Sequence, residues 1–317
     1  MARIVFFGTP GFAVPSLEVL VEYGHEIAAV VTAPDKPAGR GLKLKFSPIK
    51  ELALSLNIPV LQPIKLSEQS FIDSLKSINA ELFIVVAFRM LPESVWNMPP
   101  LGTYNVHSSL LPNYRGAAPI NRAIMDGCNN TGVTTFKLRH EIDTGGIILQ
   151  QETIIGTDET AGELHDRLMM MGADILIKTV ELVTSGTANP IPQEQLILES
   201  TTLASAPKLF SSDCQLHWEN SAIQLHNQIR GLSPFPGAFT HLVHENGLQQ
   251  VVKMYRSKLH LDIISNKPGC IHIADGKLMV QTGTTAIEIL ELQLEGKKRM
   301  ATTDFLRGNN IKGCILR

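Results

Sequence analysis

The 317-residue sequence lacks several features that would mark particular classes of protein. Its only four cysteines, at positions 128, 214, 270 and 314, form no Cys-x-x-Cys pair and are not spaced with histidine for zinc. Scattered thiols exclude a disulfide framework and indicate a reducing, cytoplasmic location. No apolar run approaches the roughly 18 residues that span a bilayer. Residues 1–17 predict a first strand and its turn rather than a signal peptide.

Two catalytic signatures are also missing. The turn after the first predicted strand reads GTPGF (8–12), which lacks the G-x-G-x-x-G spacing of a dinucleotide-binding loop, so a tight strand–helix turn accounts for it. The chain has no G-x-S-x-G elbow either. Ser108 and Ser109 are therefore poor candidates for a nucleophile.

The net charge of −2 is small but unevenly distributed. Residues 1–207 carry 15 Lys and Arg against 21 Asp and Glu, whereas residues 208–317 carry 13 against 9. A basic C-terminal third on an acidic body indicates a polyanionic partner, although a solvated basic face would look the same.

Strand and helix patterns alternate through the first half of the chain, which predicts a Rossmann-like, doubly wound parallel sheet over residues 1–186. Residues 187–207 have little periodicity and several Pro, Ser and Thr, so we interpret them as a linker. Residues 208–317 contain short strand-like runs separated by Gly turns, which predict a small β-barrel domain.

A basic loop interrupts the first domain at residues 34–49. Its positive charges include Lys36, Arg40, Lys43 and Lys45, and Gly39 and Gly41 flank Arg40. We expect a long, mobile loop between two α/β elements, and loops of this length are usually functional or disordered. Contact with a nucleic-acid backbone and simple solvation both remain open from the loop alone.

Polar residues follow a strand-like stretch in NVHSSLLPNYRGAAPI (105–120). His107 can exchange a proton near neutral pH, and the Asn105 amide can donate to an oxygen that gains charge. Asp143, in HEIDTGG (140–146), can orient the imidazole and stabilise its cation. The three suit transfer of an acyl-type group to an amine without a covalent intermediate, although a structural role for His107 stays open.

Several of these motifs resemble those of the formyltetrahydrofolate-dependent formyltransferases: NVHSSLLP, YRGAAPI, TGVTTFKL and EIDTG. Further motifs are similar to those of the family members that act on tRNA: GTPGFAVPSL, PDKPAGRG, APKL and HNQIRGLSPFPGAF. The resemblance covers nearly the whole chain. It implies transfer of the formyl group of 10-formyltetrahydrofolate to the α-amino group of methionyl initiator tRNA, for translation initiation.

The resemblance also implies roles for individual residues. The implied catalytic residues are Asn105, His107 and Asp143. The implied folate-binding residues are Phe88, Arg89, Met90, Leu91, Ser109, Leu110, Leu111, Pro112, Arg139, His140, Glu141 and Ile142. The implied tRNA-binding residues are Lys36, Arg40, Lys43 and Lys45. The barrel is expected to be an oligonucleotide-binding (OB)-like, tRNA-binding domain, and we expect a monomer that needs no metal.

Two positions depart from the family pattern. Gly146 stands where many members have an acidic residue, and His217 stands where many have Asp. Other functions also remain open: a formyltransferase for a small amine, a hydrolase that releases formate from the same folate, and a non-enzymatic RNA-binding protein. The basic loop and the basic C-terminal third argue against the first of these.

Overall fold

The structure is a computed structural model that describes residues 1–38, 43–197 and 202–317, except Leu261, Ile264 and Asn266. The chain forms two compact units. The first comprises Met1–Gly116, Thr131–Thr153 and His165–Ser205, and the second comprises Ala117–Asn130, Ile154–Leu164 and Ala206–Arg317. The predicted boundaries at 186 and 208 stay a prediction.

The strands are β1 (Arg3–Gly8), β2 (Glu26–Val31), β3 (Lys36–Ala38), β4 (Lys43–Lys45), β5 (Val60–Leu61), β6 (Leu82–Val86), β7 (Thr103–His107), β8 (Arg115–Gly116), β9 (Asn130–Lys137), β10 (Ile147–Ile154), β11 (Ser205–Ala206), β12 (Ala238–Val243), β13 (Gln249–Leu259), β14 (Ile271–Ala274), β15 (Lys277–Gln281), β16 (Ala286–Leu294), β17 (Met300–Ala301) and β18 (Ile315–Leu316). The helices are α1 (Val14–Glu22), α2 (Pro48–Ser55), α3 (Gln69–Ile78), α4 (Glu93–Trp96), α5 (Pro119–Met125), α6 (Ala161–Thr184), α7 (Ser211–Cys214), α8 (Ala222–Gly231) and α9 (Thr302–Gly308), with 3₁₀ turns at Gly11–Ala13 and Gln193–Leu196.

The sheet of the first unit has the strand order β10-β9-β7-β6-β1-β2-β5. Strands β5, β2, β1, β6 and β7 pair in parallel, which confirms the predicted Rossmann-like arrangement. Strand β9 is different, because it pairs antiparallel with β7. The sheet is therefore mixed at the side that carries the polar motif, and this affects how Asp143 is positioned.

The central strands are buried on both faces, as their continuous apolar runs predict. On one face, Val5, Phe7 and Val85 pack into a cluster with the apolar side of α3. On the other face, Phe6 and Ile84 are fully buried. Burial of both faces keeps this sheet rigid beneath the residues at its strand ends.

The second unit contains an antiparallel sheet in the order β14-β15-β16-β13-β12-β18. Its two edges meet, because the Leu316 amide donates to the Gly269 carbonyl (2.9 Å) and Cys270 bridges to Ile315. Gly269 has φ +81°, and a Cβ there would lie 2.1 Å from the Leu316 carbonyl oxygen. The predicted C-terminal barrel is thus confirmed, and its closure requires glycine at position 269.

The second unit has its own core, in which Trp218 is almost fully buried and donates its indole N–H to the Thr240 hydroxyl (3.0 Å). Helix α8 begins with a capping box between Ser221 and Gln224. Among the described residues of both units, no helix is long and apolar enough to cross a membrane.

Candidate active site

Asn105 and His107 lie on β7 with one residue between them, so their side chains project from the same face of the sheet. The intervening Val106 faces α6, where a Cβ on Gly172 would come within 3.0 Å of its side chain. Val85 is the parallel partner of Asn105 and belongs to the buried cluster against α3. The two polar side chains therefore stand on the face opposite α6.

The His107 ring is held between two protein groups. Its Nε2 lies 2.9 Å from the Tyr114 carbonyl oxygen, and its Nδ1 lies 3.8 Å from Oδ2 of Asp143. A carbonyl only accepts, so Nε2 carries a proton and Nδ1 is the nitrogen that can gain one. The two side chains are 8% and 13% exposed, so little water screens an imidazolium–carboxylate pair between them.

The closeness of Asp143 to His107 does not follow from the positions of the strand ends alone. Lys137, at the end of β9, pairs with Tyr104, which lies three residues and about 10 Å before His107 along β7. The loop 138–146 must therefore turn back towards His107. Asp143 has a left-handed backbone (φ +53°), and its Oδ2 accepts the Gly116 amide at 2.9 Å.

Gln193 is the residue of this region that sequence reasoning missed. It is fully buried, and its side-chain amide donates to the carbonyl oxygens of Asp143 (2.9 Å) and Gly145 (2.8 Å). Its Oε1 accepts from Nε (3.0 Å) and Nη2 (2.7 Å) of Arg115. Burial, and then the charge of Arg139, lowers the pKa of the Arg115 guanidinium. Gln193 lies in a segment without periodicity, so no sequence pattern pointed to it.

Three residues around the site other than glycine adopt left-handed backbones. They are Ala87 (φ +48°), Tyr114 (φ +59°) and Asp143. Each such conformation costs of order 1 kcal/mol or more and persists only where its surroundings impose it. They lie directly after β6, directly before β8 and in the loop after β9, and such a concentration around one region is typical of a functional site.

The first two segments predicted to bind folate differ in exposure. Phe88, Arg89, Met90 and Leu91 follow β6; Met90 is exposed, Phe88 is half-buried and Leu91 is buried. Ser109, Leu110, Leu111 and Pro112 follow β7, and all but the half-buried Leu110 are buried. The Ser109 hydroxyl donates to the Asn113 carbonyl at 2.7 Å, so it supports the turn after β7.

The third segment consists of Arg139, His140, Glu141 and Ile142, all exposed and directly before Asp143. Arg139 donates to the Thr144 hydroxyl (2.8 Å) and to the Glu194 carboxylate (2.5 Å). The bond to Glu194 joins the loop to the 3₁₀ turn that carries Gln193. The Arg139 guanidinium also holds the pKa of Glu194 below its usual value.

The two departures from the family pattern have different settings. A Cβ on Gly146 would lie 2.7 Å from Cβ of Pro190, so any side chain at position 146 would require the backbone around Pro190 to move. His217 is exposed on the second unit.

Part of the predicted basic loop is a two-stranded ribbon. Strands β3 and β4 pair antiparallel and place Lys36 directly opposite Lys45, both exposed. Arg40 and the side chain of Lys43 lie outside the described residues. Like charges directly opposite each other destabilise a ribbon, so this pair favours a partner that supplies negative charge.

The base of the ribbon is held by Lys50, a further basic residue directly after the loop. Its Nζ contacts Oδ2 of Asp35 (2.5 Å) and Oε1 of Gln62 (2.8 Å). Hydrogen bonds from Lys50 and then Gln62 lower the pKa of the Asp35 carboxyl. Lys50 is therefore engaged within the protein, unlike the exposed Lys36 and Lys45.

Comparison with known proteins gives consistent results for the whole chain. The family model for formyl transferase matches residues 2–180, and that for the formyl transferase C-terminal domain matches residues 208–310. The chain is 49% identical to the methionyl-tRNA formyltransferase of Porphyromonas gingivalis over 313 residues, which cover 96% of this chain and 95% of that protein. It is 47% identical to the enzyme of the same name from Bacteroides fragilis over 308 residues, which cover 96% and 94%.

A solved structure resembles the fold at lower identity. The sugar 3N-formyl transferase WlaRD, determined in the presence of dTDP and 5-N-formyl-THF, matches with a TM-score of 0.66 and 20% identity over 94% of this chain and 99% of that chain. At this identity the likeness shows the fold alone. The family models and the two relatives show more: the chain belongs to the formyl transferase family, and these full-length relatives within that family are methionyl-tRNA formyltransferases.

Proposed function

We propose that this protein transfers the formyl group of 10-formyltetrahydrofolate to the α-amino group of methionyl initiator tRNA. The observation that carries the proposal is the pairing of His107 with Asp143 on the face of β7 that also presents Asn105. The names of the two relatives support the choice of acceptor.

In the proposed reaction, the neutral α-amine attacks the formyl carbon. A carbon–nitrogen bond forms to the amine, the bond to the folate nitrogen breaks, and the amine's proton moves to that nitrogen. The formyl oxygen gains negative charge in between, and the Asn105 amide donates a hydrogen bond to it. Among the described residues, that amide has no hydrogen-bond partner within the protein.

His107, assisted by Asp143, transfers the proton from the amine to the folate nitrogen. Nδ1 is the ring nitrogen that can accept it, and the resulting imidazolium faces the Asp143 carboxylate at 3.8 Å. That carboxylate stabilises the cation, and the Gly116 amide keeps it in place. The imidazolium then returns the proton to the leaving folate nitrogen.

We assign folate binding to the three segments that flank this set. Met90 and Ile142 are 73% and 61% exposed, and such apolar side chains beside the site offer contact area to an aromatic ring system. The presence of 5-N-formyl-THF with WlaRD, which shares the fold, supports a formyl-folate as the donor.

We assign tRNA binding to the ribbon of β3 and β4 and to the basic C-terminal third. Lys36 and Lys45 expose two charges that face each other, and a phosphate backbone would relieve their repulsion. From the sequence we add Arg40 and Lys43. We further propose that the enzyme is cytoplasmic and monomeric. Its catalytic domain would span residues 1–186 and its tRNA-binding domain residues 208–317.

The first test is a formylation assay with 10-formyltetrahydrofolate and three acceptors: methionyl initiator tRNA, methionyl elongator tRNA and free methionine. Formylation of the initiator alone is the expected result. Formylation of a small amine such as an amino sugar instead would favour the alternative acceptor class. Release of formate without an acceptor would identify a hydrolase.

A further inference from the structure

We propose that Gln193 is a positioning residue that holds the Asp143 loop in its working conformation. This inference rests on the proposed function, because it gives Asp143 a part in the reaction. Gln193 lies fifty residues after Asp143 in the chain and is 0% exposed.

All four hydrogen-bonding positions of the Gln193 carboxamide are used. Its two N–H groups donate to the carbonyls of Asp143 and Gly145, and its oxygen accepts twice from Arg115. Rotating the amide by 180° would set its oxygen against two carbonyl oxygens, so the orientation is determined by its partners. A buried polar group satisfied in this way restricts its neighbours to one arrangement.

The loop needs such a restraint for two reasons. Its strand, β9, runs antiparallel to β7, so the chain must turn back to bring Asp143 to His107. Asp143 also holds a left-handed backbone, which costs free energy in a residue other than glycine. The two bonds from Gln193 flank this residue, on its own carbonyl and on that of Gly145.

The Gly116 amide holds the other end of Asp143, its carboxylate. Gly116 follows Arg115, whose guanidinium binds the Gln193 oxygen. The strand β8, Arg115–Gly116, thus holds both parts of Asp143. Gly116 binds its side chain directly, and Arg115 is connected to its backbone through Gln193. Gln193 links the loop to that strand and so sets the distance between Asp143 and His107.

The variant Gln193→Glu tests this role: it keeps the size of the side chain and an acceptor for Arg115, removes both donors to the loop and sets an oxygen against the carbonyls of Asp143 and Gly145. We expect kcat for formyl transfer to fall about 10²-fold, as a misplacement of about 1 Å can produce. KM for methionyl-tRNA should stay within about threefold. Gln195→Glu adds the same charge in the same 3₁₀ turn at an exposed position and should leave kcat unchanged.

A double variant tests whether Gln193 acts through Asp143. If it does, Gln193→Glu should lower kcat much less in an Asp143→Asn background than in the wild type, because the group it positions has already lost its charge. A purely structural role predicts independent effects, so additive losses in the double variant would overturn the proposal.

Hydrogen exchange supplies a readout that needs no catalysis. Amides of residues 141–146 should exchange faster in Gln193→Glu than in the wild type, while those of α3 stay unchanged and Gln195→Glu behaves like the wild type. Unchanged exchange at 141–146 would sink the positioning role even if the wild type proved inactive on methionyl-tRNA. If the wild type proved inactive but residues 141–146 still exchanged faster in the variant, the proposed function would be rejected and the positioning role of Gln193 would stand.

Discussion

Oδ2 of Asp143 lies 3.8 Å from Nδ1 of His107, in surroundings where both side chains are largely buried. A carboxylate at this distance stabilises the imidazolium without a direct hydrogen bond. Asp143→Asn keeps an acceptor for the Gly116 amide and removes the charge. We expect kcat to fall about 10²- to 10⁴-fold in single-turnover formylation. Asp174→Asn, an exposed change on α6, is the control, and activity within twofold of the wild type for Asp143→Asn would contradict the mechanism.

Asn105→Ala removes the proposed donor to the formyl oxygen. Loss of one such donor typically lowers the rate about 10²- to 10³-fold, and we expect a loss in that range in kcat with an unchanged thermal midpoint. The exposed Asn97 at the end of α4 provides a matched Asn→Ala control. Turnover by Asn105→Ala like that of the wild type would remove Asn105 from the mechanism.

The exposed pair Lys36 and Lys45 on the ribbon should make methionyl-tRNA binding depend on the salt concentration. Changing Lys36 and Lys45 together to Gln should weaken methionyl-tRNA binding and reduce the slope of log Kd against log salt by about 1 to 2, since fewer counterions are released. Folate binding should not change. Lys65→Gln with Lys76→Gln makes the same change of charge at exposed positions of the same unit. Equal effects from the two pairs would indicate only long-range attraction.

The stability of the second unit at low pH should depend on the ionisation of Glu163. A hydrogen bond from the Thr160 amide, then one from Arg256, lowers the pKa of Glu163 to about 2. The folded value lies below the unfolded value of about 4.3, so this stabilisation is present above about pH 5 and is lost as the pH falls towards 2. Because the side chain is 47% exposed, solvent screening limits the contribution to about 1 kcal/mol.

Urea unfolding at pH 7 and pH 3 measures this contribution. Glu163→Gln should lose about 1 kcal/mol at pH 7 and about half of that at pH 3. Glu295→Gln, at an exposed position of the same unit, is the control. The same loss at both pH values would show that packing, and not ionisation, is responsible.

Because the barrel closes tightly at Gly269, alanine should destabilise the protein more at Gly269 than at Gly276, although the two glycines have similar backbone conformations. Gly269→Ala forces a Cβ against the Leu316 carbonyl and should destabilise the second unit by more than the roughly 1–3 kcal/mol of a strained backbone. Gly276 has φ +72° with open space around it, so Gly276→Ala should cost only the backbone term. Urea unfolding of the full chain measures both, and equal costs would argue against a tight closure at residue 269.

The sequence by itself determined the class of the fold and most of the local elements. Continuous apolar runs such as RIVFFG predict strands buried on both faces, and the structure has β1 at those residues, Arg3–Gly8. Periodicity and a Gly stop predict a long helix from residue 161, and α6 spans Ala161–Thr184. These features follow from interactions between near neighbours in the chain, which a pattern of residue types records. The motif around Asn105 and His107 is local in the same sense.

Only the tertiary structure decided the direction of β9, the return of loop 138–146 and the place of Gln193 beside it. A strand reads alike whether its neighbour is parallel or antiparallel, so no pattern showed that Asp143 must be brought back to His107. The contacts of Gln193 join residues about fifty positions apart through hydrogen bonds to backbone carbonyls, which every residue possesses. Such contacts leave no periodicity in the sequence, because they depend on where the folded chain passes and not on the residue types that it meets there.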